Sequence, residues 1–338
     1  MRVLQVAPPW VAVPPSGYGG TEMVIAELTR ALAAQGHEVL LFATGDSDTS
    51  HRCGWVYPEA LGLRVFRPAA EVYQAVAARE VAISEGVDVI HDHTTAGAAL
   101  VPDIPTIFTQ HNRFTEESRP LYRLAQENGA RIVAISQSHA TEASFDVDAV
   151  IHHGIDLDLY TQGKGDGGYA LFLGRMSPDK GVHRAVEIAR AAGVPLRIAA
   201  KMREASEWEY FHEEVEPLLG PDVEFLGEVD FKGKVDLLGN AVAVINPIQW
   251  AEPFGMIAIE SMACGTPVLT TGFGAAAEIV VDGETGFVRP VDELADVMAK
   301  IESIDRDKCR AHVSAHFSAQ RMAKEYLDVY ADSIAVHR

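Results

Sequence analysis

Cysteine is scarce: Cys53, Cys264 and Cys309 are the only three in 338 residues, and none forms a Cys-x-x-Cys pair. This speaks against a disulfide framework and against a structural zinc site, and a reducing, cytoplasmic setting is expected. Long apolar runs are missing too, with none near the ~20 residues of a membrane-spanning helix. The chain starts directly into Val3-Leu4-Gln5-Val6-Ala7 without a basic leader or cleavage site, so no secretion signal is expected. Positive charge is in short supply. The 28 Lys and Arg stand against 48 Asp and Glu, a formal net charge of −20, which disfavours nucleic acid and stable association with an anionic membrane. The G-x-G-x-x-G fingerprint of dinucleotide binders is absent. No Asp-x-Asp stands where it could offer a metal to a diphosphate, so no metal and no cofactor are expected.

Apolar residues make up 48% of the chain, enough for sizeable cores, and the length favours two domains. Short apolar runs alternate with helix-period segments, which predicts α/β domains with parallel sheets. Strands are expected at Val3–Ala7, Glu38–Ala43, Val87–His91, Thr106–Thr109, Arg131–Ser136 and Ala149–His152. A second series follows at Ala170–Leu173, Leu196–Ala200, Val223–Leu226, Ala241–Asn246 and Val268–Thr271. A helix over Thr21–Gln35 sets Val24, Ile25, Leu28 and Leu32 on one face, ends at Gly36, and carries only Arg30 as a cation. Thr161–Gly168 has the composition of a flexible joint. The reading is thus one domain over 1–160, a second over 169–317 and a last helix over 318–338. Two doubly wound sheets of this kind bind ligands at the carboxyl ends of their strands.

The densest chemical signal is Glu252-Pro253-Phe254-Gly255-Met256-Ile257-Ala258-Ile259-Glu260, followed by Gly265-Thr266-Pro267-Val268. Glu260 is the only charge between Glu252 and Glu278. A carboxylate among Ile257, Ile259 and Met262 is either solvent-facing on a half-buried helix or buried with a hydrogen-bond partner. Pro253 and Gly255 keep Glu252 out of that helix, while Glu260 is expected about two turns inside it, up to ~12 Å away. Such a spacing suits an elongated ligand. The loop Gly174-Arg175-Met176-Ser177-Pro178-Asp179-Lys180-Gly181 runs from a strand to a helix, and its two cations suit a diphosphate or are paired with acids. Pro14–Glu22 leads into the first helix with Gly19 and Gly20, whose backbone allows close approach of a phosphate. His91-Asp92-His93 and Gln110-His111-Asn112 each close a strand. His91 and His93 point to one side, so they form a metal pair or, lacking a third ligand, stabilise turns.

These motifs resemble the retaining glycosyltransferases of family 4, and the resemblance runs over most of the chain. It implies a GT-B fold, two Rossmann-like domains facing a central cleft, the first on the acceptor side and the second holding the donor, with the last helix packing back on the first. By that resemblance Arg175 and Lys180 hold the departing nucleoside diphosphate, Glu252 the hydroxyls of the transferred sugar and Glu260 the ribose. His111 positions the sugar face, with His93 as a second pocket histidine. Gly19, Gly20, Phe254, Gly255, Glu278 and the Phe225–Val229 segment around Gly227 line the donor. The implied reaction moves a sugar from a UDP-, GDP- or ADP-sugar to a small-molecule or glycan acceptor, a soluble one given the acidic surface. Acceptor recognition is expected in loops such as Arg113–Arg119. Two departures stand out: Ala275 and Ala277 where members carry Gly and Pro before Glu278, and His153 where members usually carry Asn before Gly154. Rival readings are a sugar-nucleotide epimerase or hydrolase of the same fold, a pyridoxal phosphate phosphorylase, a nicotinamide enzyme and a non-catalytic sugar-nucleotide binder.

Overall fold

Central strands of a parallel sheet are buried on both faces and so read as unbroken apolar runs. A computed structural model, which describes residues 1–17, 19–47, 50–62 and 68–337, folds those runs into two seven- and six-stranded parallel sheets. The first unit comprises Met1–Gly154 with Ala319–Arg338, the second Ile155–Ser318. Tyr18 of the loop before the first helix lies outside the described residues.

The first unit runs β1 (Arg2–Val6), α1 (Gly20–Ala34), β2 (Glu38–Phe42), β3 (Arg52–Gly54), α2 (Pro68–Glu85), β4 (Val89–Asp92), β5 (Thr106–Thr109), α3 (Ser118–Glu127), β6 (Arg131–Ala134), α4 (Gln137–Glu142) and β7 (Ala149–Val150). The second runs β8 (Ala170–Arg175), α5 (Val182–Ala191), β9 (Leu196–Lys201), α6 (Ala205–Tyr210), β10 (Val223–Gly227), α7 (Phe231–Asn240), β11 (Ala243–Asn246), α8 (Met256–Ala263), β12 (Val268–Thr270), α9 (Ala276–Ile279), β13 (Gly286–Val288), α10 (Leu294–Met298) and α11 (Arg306–His316). The chain then returns to the first unit as α12 (Ala319–His337), which packs on α1, β4 and β5.

Strand order is β3-β2-β1-β4-β5-β6-β7 in one sheet and β10-β9-β8-β11-β12-β13 in the other. Each order reverses once, at β1/β4 and at β8/β11, and the carboxyl ends beside such a reversal are where open α/β sheets bind ligands. Those ends deliver His91 and Asp92 from β4, Arg175 from β8 and Asn246 from β11. In the first sheet Gln5 lies beside His91 in the register. Alternation then puts Gln5, His91, His93 and Thr109 on the same face. The opposite face buries Leu4, Val6 and Ile90 against Ala78 and Ala82 of α2.

Two short edge strands, β3 and β13, escape the sequence reading, each being three residues long and including a glycine. The expected joint at Thr161–Gly168 is corrected. Gly163 N–H donates to the Cys264 carbonyl at 3.0 Å, Gly165 N–H to Gly239 at 3.0 Å and Gly167 N–H to Asn240 at 2.9 Å. Arg306 adds a bond to the Gly163 carbonyl at 3.2 Å. The small residues let this segment lie against backbone of the second unit rather than move freely. Among the described residues no helix is long and apolar enough to cross a membrane.

Candidate active site

At the end of β8 the chain turns through Ser177–Gly181 into α5, and the turn is held to the β11 side by Gln249 N–H donating to the Asp179 carbonyl at 2.8 Å. Lys180 is 4% exposed. Its ammonium donates to the Glu252 carboxylate and lies 5.6 Å from the Trp250 ring centre. Arg175, about one-third exposed, donates to Asp179 Oδ2 at 2.9 Å. Both cations therefore have acidic partners within the second unit.

Glu252 is kept outside α8 by the turn that follows it. Gly255 caps the helix with φ of 100°, a left-handed conformation that penalises any Cβ. A Cβ on Gly274 would stand 2.3 Å from both N and O of Glu252, so that loop lies directly on the Glu252 backbone. Ala275 N–H donates to the Glu252 carbonyl at 3.0 Å, a bond that alanine makes as well as glycine would.

Glu260 is the fifth residue of α8, just over one turn inside rather than the two expected, because the helix starts only after Gly255. It is 5% exposed, which removes the solvent-facing alternative. Its carboxylate accepts from Tyr160 Oη at 3.0 Å and Lys234 Nζ at 2.6 Å, and the Lys234 ammonium lies 4.9 Å from the Phe231 ring centre. Glu260→Ala would leave the Lys234 charge and the Tyr160 hydroxyl without their acceptor. Breaking a buried pair at one end typically costs about 3–5 kcal/mol. We expect the low end of that range, as Lys234 keeps some water contact, read as a lower urea midpoint at unchanged slope.

The first unit holds a different chemistry. His91 Nε2 is hydrogen-bonded to Thr109 Oγ1 at 2.8 Å, and His91 Nδ1 to Tyr330 Oη at 2.7 Å. Gln5 Nε2 donates to Tyr330 Oη at 3.2 Å, and His93 Nε2 donates to Gln5 Oε1 at 2.7 Å. His93 Nδ1 then accepts from His111 Nε2 at 2.9 Å. His153 stacks on the His111 ring with centroids 5.1 Å apart. Burial holds His91, His93 and His153 well below the usual imidazole range and brings His111 down to about 3. The row is thus neutral. His139 anchors the loop from beneath by donating to the Asn112 carbonyl at 2.8 Å, and burial lowers it to about 4. Both ring nitrogens of His91 and of His93 are engaged in hydrogen bonds. Among the described residues no group of three or more His, Cys, Asp or Glu could hold a metal ion.

The sequence matches Glycosyltransferase Family 4 over residues 18–159 and Glycosyl transferases group 1 over residues 161–319. The chain is a family 4 glycosyltransferase. Glycogen synthase of Mycobacterium tuberculosis is 26% identical to this glycosyltransferase over 96% of its chain and 91% of the relative. N-acetyl-alpha-D-glucosaminyl L-malate synthase of Bacillus anthracis is 24% identical over 93% and 94%. Among solved structures, AviGT4, a glycosyltransferase involved in avilamycin A biosynthesis, superposes with a TM-score of 0.73 at 28% identity, covering 99% and 98% of the two chains. Anabaena HepE in complex with UDP-glucose superposes at 0.73 with 20% identity, covering 98% and 100%, a likeness of fold. The enzyme accordingly has the GT-B architecture.

Within the second unit the glycosyltransferase brings Lys180, Glu252, Gly255 and Gly274 together. Phe254 is buried, with its ring 6.1 Å from that of Phe317. Gly227 ends β10 with φ of 75°. Glu278 is half-buried in α9. In the first unit Gly19 caps α1 and Gly20 is its first residue. Glu22, buried in the first turn of α1, is pushed up to about 7 by burial. Sequence reasoning missed Gln5, Tyr330, His139, Tyr160, Lys234 and Tyr326, whose hydroxyl is hydrogen-bonded to Thr109 Oγ1 at 2.9 Å. Only the tyrosines left a trace: a pair at i, i+4 on the buried face of a helix needs partners for its hydroxyls.

Proposed function

We propose that this glycosyltransferase moves a hexose from a nucleoside-diphosphate donor to a soluble acceptor with retention of anomeric configuration and without a metal. The observation that carries the reading is the Lys180–Glu252 pair. A buried ammonium and a largely covered carboxylate share the switch-point edge of the sheet, one suited to a phosphate and the other to sugar hydroxyls. Lys180 and Arg175 neutralise the charge that develops on the leaving diphosphate, the work a metal does elsewhere. Glu252 accepts from hydroxyls of the transferred sugar, Glu260 holds the ribose and His111 faces the sugar. Donor contacts also fall to Gly19, Gly20, Phe254, Gly255, Gly227, Glu278 and His93. The acceptor enters on the side from which the diphosphate leaves, so no enzyme nucleophile is required. The net charge of −20 supports a soluble acceptor over an anionic membrane.

Thermal unfolding in the presence of UDP, GDP, ADP, their common sugar conjugates and NAD tests this, with UDP-glucose first because HepE binds it. A ligand at a hundred times its Kd adds about 2.7 kcal/mol. One nucleoside diphosphate and its sugar should raise the transition, with EDTA making no difference. No rise with any of them, or a rise with NAD alone, would overturn the reading. The anomeric configuration of the product, read by proton NMR, tests retention.

A further inference from the structure

Between Met1 and Gly154 every Lys or Arg position is an arginine: ten arginines and no lysine stand against 18 acids. In so acidic a stretch, a guanidinium that meets no carboxylate needs a reason. Arg113, Arg119 and Arg123 stand together where the chain leaves β5, enters α3 and later passes the end of α4, and they share one carboxylate. Arg113 takes it, its Nε donating to Glu142 Oε1 at 3.2 Å and Oε2 at 3.1 Å. Arg119 Nε donates instead to the Glu142 main-chain carbonyl at 2.8 Å, and Arg123 Nη2 to the Ser144 carbonyl at 3.3 Å. Among the described residues neither Arg119 nor Arg123 meets an acid. Glu116 and Glu117, exposed just before α3, pair with none of the three arginines.

A guanidinium donates from Nε and from both terminal nitrogens. The half-buried Arg119 spends only Nε, so its terminal fork has no acceptor among the described residues. Anchoring through Nε steadies the side chain and leaves free the edge that meets a carboxylate or phosphate bidentately. Arg119 and Arg123 are also four apart on α3, a like-charge spacing that weakens a helix unless an anion lies between the two.

We propose that this arginine cluster is an anion site for the acceptor, and that the soluble acceptor is a small hydroxylated molecule bearing a carboxylate or a phosphate monoester. The proposal rests on the reading of the first unit as the acceptor side of a glycosyltransferase. The leaving diphosphate is assigned to Lys180 and Arg175 of the second unit, so the arginines of the first unit answer to a different anion. Arg113 lies two residues beyond His111, past the carboxyl end of β5, on the edge where open α/β sheets take their ligands. Glu142 offsets one of the three charges and orients Arg113, which leaves the cluster net positive on an otherwise acidic chain.

Binding is tested first without any donor, so that its failure is separable from failure of the nucleotide panel. The arginine Nε–H signals of the 15N-labelled full chain are followed during titration with inorganic phosphate, with glycerol as the neutral control. Arg119→Gln identifies the Arg119 signal. Signals of Arg113 and Arg119 should shift saturably with phosphate, less so as salt is raised, and Arg119→Gln should abolish the shift at Arg113. No saturable shift in the wild type, or one that Arg119→Gln leaves intact, would overturn the proposal.

Transfer is then measured with the donor chosen by thermal unfolding. The acceptors are matched pairs of neutral and charged compounds, such as glycerol with glycerate and glucose with glucose 6-phosphate. A charged member should outperform its neutral counterpart. Arg119→Gln should raise KM for that acceptor roughly tenfold to a hundredfold, the usual loss of a hydrogen bond to a charged group, while the thermal shift with the nucleoside diphosphate keeps its wild-type size. Arg123→Gln provides a second variant should Arg119→Gln fail to fold. A panel in which no charged member outperforms its neutral counterpart would overturn the proposal, as would a loss of the nucleotide's thermal shift in Arg119→Gln. Sedimentation with phosphatidate vesicles that Arg119→Gln abolishes would place the anion on a lipid and equally overturn it.

Discussion

Lys180→Ala should lower turnover by about 10²–10³-fold, the usual loss when one preorganised charge that meets a developing anion is removed. The side chain is buried, its ammonium partnered by Glu252 and facing the Trp250 ring. Its loss would take away the cation proposed for the diphosphate and also leave the Glu252 carboxylate, itself largely covered, without its ion. Two measurements separate these effects. Turnover with the donor chosen by thermal unfolding should collapse, while near-ultraviolet circular dichroism keeps its native form and the transition falls by only a few degrees. In the double variant Lys180→Met with Glu252→Gln the uncompensated charge is gone, so stability should recover and activity should not. Full activity in Lys180→Ala would sink the assignment of the leaving-group role to this residue.

Mild acid should destabilise the first unit well before the second. His91, His93, His111, His139 and His153 all lie in the first unit and are all depressed by burial. Folded, they stay neutral; unfolded, each takes up a proton below about pH 6.5. Their contribution is complete above that pH and is lost as the pH falls toward the folded values, about 4 for His139 and about 3 for His111. Asp92 and Glu22 act in the opposite sense. Raised to about 7, they are protonated when folded and ionised when unfolded between about pH 4 and 7, so their contribution grows as the pH falls. Each group is worth about 1.4 kcal/mol per pH unit inside its window, and the histidines outnumber the acids. On balance the first unit loses stability as the pH falls below about 6.5. Hydrogen exchange followed by mass spectrometry from pH 7.5 to 5 should show protection vanishing in β1, β4, β5 and α12 while β8 and β11 remain protected. Equal loss in both units would contradict the burial of these histidines.

The alternation of strands and helices was legible because strands such as β1, β8, β11 and β12 are largely buried and carry mostly apolar side chains. Edge strands such as β3 and β13 gain less from burial, and their composition shows it. The acids and cations of the second unit could be picked out one by one, because a lone Glu260 among apolar neighbours or a Lys180 at a helix start is locally anomalous. Their pairing could not. Lys180 and Glu252 are 72 positions apart, Lys234 and Glu260 26, and Tyr160 and Glu260 100. No local pattern encodes which distant acid a cation will meet. The histidine row was read as two separate motifs for the same reason, since His93 and His111 meet only when β4 and β5 pair, 18 positions apart.

That separation has a consequence for how the protein is made. Gln5 and Tyr330 are bonded across 325 positions of sequence, and α12 is synthesised only after all of Ile155–Ser318 has emerged. Until then one face of the first sheet, with Gln5, His91, His93 and Thr109, lacks its cover. Closing a core over so long a loop is slow compared with local pairing. During translation the second unit can therefore complete its fold while the first waits with polar side chains exposed on an otherwise finished sheet. A ribosome stalled before residue 319 would carry an unfinished first unit, a ready target for chaperones and proteases.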